Sequence, residues 1–144
     1  MIEQPYPYYE LGLPMHYFFE SIGEEKSVYK IVAFTLLVNG NWNLGFGDLA
    51  ENGSIDDSVV TNNHDVRNVI GTVAKIAIDF LRKYPERTIE IKPVDDKRKT
   101  LYNLVFQRYF EEINTFIEVC GIIAEEEPYI PTQTYNRFTI KLKF

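Results

Sequence analysis

The chain has 144 residues, of which 45% are hydrophobic and 15% aromatic, so it can bury a substantial core and does not have the composition of a disordered protein. The formal net charge of −6 argues against a broad nucleic-acid surface, which normally requires a basic face. Cys120 is the single cysteine, which excludes an intrachain disulfide and a zinc site built from several thiolates.

No apolar run approaches the ~20 residues needed to cross a bilayer, and the first residues lack the basic and apolar regions of a signal peptide. We therefore expect one domain over residues 1–144, located in the cytoplasm and without a membrane partner.

The N-terminal residues 1–14 are rich in Tyr and Pro. Pro5, Pro7 and Pro14 exclude a helix interior, since proline lacks the backbone N–H that a helix requires. The pattern predicts an extended arm whose tyrosines pack on the body of the protein. The alternative is a Pro-rich recognition ligand, but the arm contains no clear PxxP repeat.

A β-hairpin is predicted next. After a first strand at 16–22, residues 28–38 are β-branched and aromatic, and Asn39-Gly40 then favours a type I′ turn. A two-residue loop would pair Leu37 with Trp42. In the returning strand, Gly45 and Gly47 would allow a close approach by a packed helix, a bulge or a ligand.

Two helices flank a short strand in the second half of the chain. The first is predicted from Asn63 to Tyr84, because its apolar residues recur at spacings of three and four and a proline follows. Alternation over residues 88–92 indicates a half-buried strand. A second helix, capped by Asp95, is predicted to end at Ile117.

Strands at 118–124 and 135–144 follow, separated by an exposed loop. The element order predicts an α+β domain with a largely antiparallel sheet and two long amphipathic helices packed on one face.

A basic cluster at the start of the second helix is the first candidate site. Lys97, Arg98 and Lys99 lie where the helix dipole disfavours cations, and Tyr102 follows one turn later. A phosphate or an acidic partner bound at the free N–H groups of the helix would explain the cluster. The alternative is that Asp95 and the adjacent acidic residue neutralise the basic side chains in local ion pairs.

Two further groups are weaker candidates. His64 and Asp65 could act as acid and base, or could form an ordinary solvated helix start. Asp48, Glu51, Asp56 and Asp57 do not have the spacing of a calcium loop and are expected to be solvated. No metal site and no cofactor are predicted, and Cys120 is expected to be an inert thiol.

The chain resembles a family of small bacterial proteins known only as a domain of unknown function. The resemblance covers nearly the whole chain in order and rests on these residues: Tyr9-Glu10-Leu11, Phe19-Glu20-Ser21, Asn43-Leu44-Gly45-Phe46-Gly47-Asp48, Ile55-Asp56-Asp57, Asn62-Asn63-His64-Asp65, Thr72-Val73-Ala74, Phe80, Tyr84-Pro85, Arg98, Leu101-Tyr102, Tyr135 and Phe138. Family members often carry Gly-Ser-Thr before an Arg-Thr-Arg-Leu-Tyr run, and Val94-Asp95-Asp96 stands there instead. The resemblance implies a single domain and no particular activity.

The sequence carries no catalytic signature, so we expect a binding or regulatory module that works with a protein partner rather than an enzyme. The alternative is a small enzyme acting on a phosphorylated or nucleic-acid substrate, such as a toxin-like ribonuclease. Phosphate or nucleic acid would then be bound only through the local basic cluster, with His64 or Asp65 as acid or base.

Overall fold

A computed structural model describes residues 5–10, 15–23, 26–49, 55–56 and 66–143. Within these ranges there are two helices, α1 (Val66–Lys83) and α2 (Asp96–Ile113). The strands are β1 (Tyr8–Glu10), β2 (His16–Ile22), β3 (Ser27–Leu36), β4 (Trp42–Leu49), β5 (Ile55–Asp56), β6 (Ile89–Ile91), β7 (Ile117–Ile122), β8 (Glu126–Pro128) and β9 (Arg137–Leu142). Neither of these helices is long and apolar enough to cross a membrane.

The strands form one sheet in the order β1-β2-β3-β4-β6-β9-β7-β8, with β5 paired to β4. The pairing of β4 with β6 is parallel, with Trp42 opposite Ile89. The pairings of β1 with β2, β2 with β3, β6 with β9 and β7 with both β8 and β9 are antiparallel. This confirms the predicted single-domain α+β class with a largely antiparallel sheet. That both helices cover the same face stays a prediction.

The chain packs as two compact units, Met1–Thr35 with Leu44–Phe80, and Leu36–Asn43 with Leu81–Phe144. In the first unit, Phe34 of β3 stacks on Phe80 of α1 with ring centroids 3.9 Å apart. Val69, Thr72 and Ile76 are also buried on this helix, at the three-and-four spacing of one helical face. Val69, Ile76 and Phe80 belong to the apolar residues on which the sequence prediction of this helix depends, and Thr72 does not.

The N-terminal segment is attached to α1 by hydrogen bonds. The Tyr6 N–H donates to Thr72 Oγ1 over 2.8 Å, and the Tyr8 hydroxyl donates to the Asp79 carboxylate. Burial and the adjacent carboxylate raise the pKa of Tyr8. Residues 5–10 thus include the short strand β1, while the rest of the predicted arm lies outside the described residues.

The hairpin between β3 and β4 differs from the predicted two-residue turn. The Leu37 N–H donates to the Asn41 carbonyl over 2.7 Å, and the Gly40 N–H donates to the Leu37 carbonyl over 3.0 Å. Gly40 has φ +89, so the loop spans three residues with glycine in the left-handed position. Leu37 therefore pairs with Asn41, and the predicted pairing with Trp42 is wrong by one residue.

In the second unit, α2 packs through an aromatic cluster on β9. Phe106 stacks on Phe138 with ring centroids 4.3 Å apart, and the ring of Tyr129 lies against both. Asp95 caps the helix as predicted, but the helix ends at Ile113 rather than Ile117. The reason is that Ile117 pairs with Leu142 as the first residue of β7.

Strands β1, β5 and β8 were not predicted as strands, and β8 falls in the segment predicted to be an exposed loop. Residues 126–128 form β8, which pairs with β7 through Cys120 and Pro128. Its acidic, proline-containing sequence resembles an exposed loop, yet charge and proline are also typical of an edge strand. The composition of residues 126–128 therefore did not distinguish an edge strand from an exposed loop.

Candidate functional site

The predicted basic cluster lies in the first two turns of α2, where the chain supplies its own anion. Asp95 has an extended backbone (φ −154, ψ 173), and its side chain accepts a 2.8 Å hydrogen bond from the Arg98 N–H. The Arg98 guanidinium forms an ion pair with the same carboxylate. The backbone hydrogen bond first, and then the charge of Arg98, lower the pKa of Asp95. The carboxylate of Asp95 thus accepts from one of the backbone N–H groups at the start of α2.

The other members of the cluster differ in their surroundings. Lys99 donates to Asn136 Oδ1 over 2.7 Å, which ties the helix start to the turn before β9. Lys97 is exposed and Tyr102 is half-buried. The four predicted residues are therefore neighbours, and Arg98, Lys99 and Tyr102 are engaged in contacts within the chain. An anion-binding role for them stays a prediction.

A contact that the sequence did not indicate joins α2 to the turn before β9. The Asn103 side chain accepts from the Tyr135 N–H over 2.7 Å and donates to the Tyr135 carbonyl over 2.8 Å. The Tyr135 hydroxyl donates to Glu127 over 2.7 Å and accepts from the Ile130 N–H over 3.1 Å. Tyr135 is fully buried. A lone Asn in a helix carries no signal of such a role, so only the fold could show it.

Several other candidates are outside the described residues or are engaged elsewhere. His64, Asp65, Glu51 and Asp57 fall outside those residues, and Asp56 is described in its backbone only. Asp48 forms an ion pair with Lys30, both side chains being largely buried. The described part of the chain holds no group of three or more His, Cys, Asp or Glu that could bind a metal ion.

Cys120 of β7 is a half-buried free thiol. Burial, followed by the charges of Glu126 and Glu118, raises the pKa of Cys120. Since the thiolate is the nucleophilic form, a raised pKa disfavours covalent chemistry. That the thiol is inert stays a prediction.

The most distinctive surface in the first unit is a row of aromatic rings across β1, β2 and β3. Tyr9 is paired with Phe18, and their ring centroids are 5.5 Å apart. Phe18 meets Tyr29 edge to face at 6.3 Å. Tyr9 and Tyr29 are 58% and 52% exposed. We call these three residues the aromatic face.

The two faces of β2 differ in burial, and on the face of Phe18 its partner Ile31 in β3 is buried. Tyr17, Phe19 and Ser21 are buried, whereas the alternating residues that include Phe18 are on the other side. Since α1 and its stacking partner Phe34 lie on the buried side, the aromatic face is directed away from α1. The sequence predicted that Tyr9, as a tyrosine of the N-terminal arm, packs on the body of the protein, and it made no prediction for the exposure of Tyr29. Their exposure became evident only from the strand register.

Comparison with known proteins identifies a family but does not indicate an activity. The model of a family of unknown function, DUF6934, matches residues 3–143. No curated protein and no solved structure matches the chain. Because the match spans nearly the whole chain, the chain belongs to DUF6934, a family of unknown function.

Proposed function

We propose that the protein is a small cytoplasmic binding or regulatory module that works through a protein partner, and that the aromatic face contacts this partner. The observation that carries the proposal is that Tyr9 and Tyr29 are each more than half exposed although they are in ring contact with Phe18. Tyrosine is enriched at protein interfaces, because it offers a large apolar surface at a low entropic cost.

A catalytic role at a phosphorylated or nucleic-acid substrate has weaker support. At the N-terminus of α2 the Asp95 carboxylate already accepts from the Arg98 backbone N–H, and the Arg98 guanidinium is paired with the same carboxylate. An added phosphate would have to displace both contacts. The net charge of −6 also opposes the approach of a polyanion.

The test is the capture of proteins from cell extract on the immobilised chain, with quantification by mass spectrometry. Tyr9→Ala combined with Tyr29→Ala removes the exposed rings, and Leu104→Ala is the matched control, because Leu104 is 56% exposed on α2. We expect proteins retained by the unmodified chain and by Leu104→Ala to be lost with the double variant. Far-ultraviolet circular dichroism verifies that each variant is folded.

Equal capture by all three forms would exclude the aromatic face as the binding surface. If the double variant is unfolded, Tyr29→Gln alone provides the test, since Tyr29 is in the longer strand β3. Loss of capture with Leu104→Ala but not with the tyrosine variants would assign binding to α2 and contradict the proposal.

A further inference from the structure

The carboxylate-bearing residue Glu20 lies beside the aromatic face. Glu20 is paired with Tyr29 across β2 and β3, and it follows Phe18 by two residues, so all three side chains are on one face of the sheet. Glu20 is half-buried. Among the described residues, no hydrogen bond or ion pair involves its carboxylate.

Aromatic rings and a carboxylate both favour a cation. The ring face carries negative charge density, and a carboxylate that has no counter-charge gains most from an ion pair with a partner. On the same face of β1 to β3, the described residues include no Lys or Arg. The net charge of −6 further attracts a basic partner.

The position of β1 indicates the form of this partner. β1 is the last strand at its end of the strand order, so one of its edges has no neighbouring strand among the described residues. A free strand edge is a template for an extended peptide, whose main chain adds as a further strand. Tyr9 is the central residue of β1 and borders this edge.

We propose that the aromatic face binds an extended, arginine-bearing segment of a partner protein, which pairs with the edge of β1 and places an arginine over Tyr9 toward Glu20. This inference rests on the proposed function. An added strand would lie two strand spacings, about 10 Å, from β2, which an arginine and a glutamate side chain together can span. The guanidinium would stack on the rings and form an ion pair with the carboxylate.

Arginine fits this surface better than lysine does. Its planar guanidinium stacks on aromatic rings and binds a carboxylate through two parallel N–H groups, whereas an ammonium group is compact and strongly hydrated. Single-stranded nucleic acid would also stack on the rings, but it requires a basic groove for its phosphates, and Glu20 opposes them.

The experiment titrates the labelled full chain with blocked peptides and follows its backbone amides by NMR. The probes are alternating Arg-Thr, Lys-Thr and Glu-Thr peptides, in which the period of two directs every charged side chain to one face, and an oligouridylate as the nucleic-acid probe. We expect saturable shifts in residues 8–10, 16–22 and 27–31 with Arg-Thr. Binding of Lys-Thr should be about tenfold weaker, the factor expected for one lost hydrogen bond to a charged group. Glu-Thr should not bind.

Two matched variants distinguish the effect of the Glu20 charge from a general effect of losing a carboxylate. Glu20→Gln should weaken Arg-Thr binding by about tenfold or more, while Glu111→Gln, at an exposed position on α2, should leave binding unchanged. Absence of saturable shifts with Arg-Thr, equal binding of Arg-Thr and Glu-Thr, or binding of an oligouridylate in place of the peptides would each overturn the proposal. If the tyrosine variants lose capture but Arg-Thr does not bind, the arginine-bearing segment is rejected as the ligand and the aromatic face remains the binding surface. Capture that does not depend on Tyr9 and Tyr29 would reject the aromatic face as the binding surface.

Discussion

The ring of Tyr135 lies directly over Gly121 of β7. A Cβ placed on Gly121 would be 2.3 Å from Tyr135 Cδ1 and equally close to Cγ. The ring has no room to retreat, because Tyr135 is fully buried and both its hydroxyl and its backbone are hydrogen-bonded. The absence of a side chain at position 121 is therefore what allows Tyr135 to fill this part of the core.

Gly121→Ala should destabilise the protein strongly. Overpacking of a well-filled core typically costs about 1–3 kcal/mol, and the overlap with an immobile ring puts this variant at the upper end or beyond. Urea unfolding measures the change. Cys120→Ala in the same strand is the control and should cost much less. If Gly121→Ala is as stable as the original chain, the close approach of the ring is refuted.

Asn103→Ala tests the attachment of α2 to the turn before β9. The change removes both hydrogen bonds to the Tyr135 backbone and leaves partly buried polar groups without partners, so a loss of about 2 kcal/mol is expected. Gln107→Ala, one turn later at an exposed position, should change the free energy of unfolding by less than about 0.5 kcal/mol. Equal effects of the two substitutions in urea unfolding would contradict the role of Asn103.

Tyr129 and Tyr135 should respond in opposite ways to loss of the hydroxyl. The Tyr129 hydroxyl is buried and has no hydrogen-bond partner among the described residues, so Tyr129→Phe should gain about 1 kcal/mol. Tyr135→Phe removes the hydrogen bond to Glu127 and should lose about 2 kcal/mol. Thermal unfolding of both variants provides the comparison. A destabilised Tyr129→Phe variant would show that the hydroxyl has a partner.

Asp95 should titrate below its ordinary value of about 3.9. Because its folded pKa is lowered, its stabilising effect is fully present above the unfolded pKa and is lost as the pH falls through the folded pKa. Carboxyl-carbon NMR measures the pKa directly. In Arg98→Ala the pKa should rise only in part, since the backbone N–H of residue 98 is the larger cause and remains. A full return to the ordinary value would assign the shift to the guanidinium instead.

Local signals in the sequence predicted most of the elements. The cap at Asp95 and the apolar spacing of α1 depend on neighbouring residues, so the sequence pattern identified both. The end of α2 could not be predicted in this way, because it is determined by the pairing of Ile117 with a distant strand.

The β3–β4 turn, the aromatic face and the contacts of the basic cluster depend on residues that are distant in the sequence, so a local sequence pattern does not show them. Asn39-Gly40 suits both a two-residue and a three-residue hairpin loop, and the choice between them shifts the register by one residue. The aromatic face likewise becomes visible only when the register places Tyr9, Phe18 and Tyr29 side by side. The basic cluster was located from the sequence, but its partner Asn136 is 37 residues away from Lys99.

The most direct test of the account is hydrogen–deuterium exchange of the chain with and without a captured partner. We expect slowed exchange to be confined to residues 8–10, 16–22 and 27–31, where the aromatic face and the edge of β1 lie. Protection of residues 97–111 of α2, with unchanged exchange in β1 to β3, would contradict it.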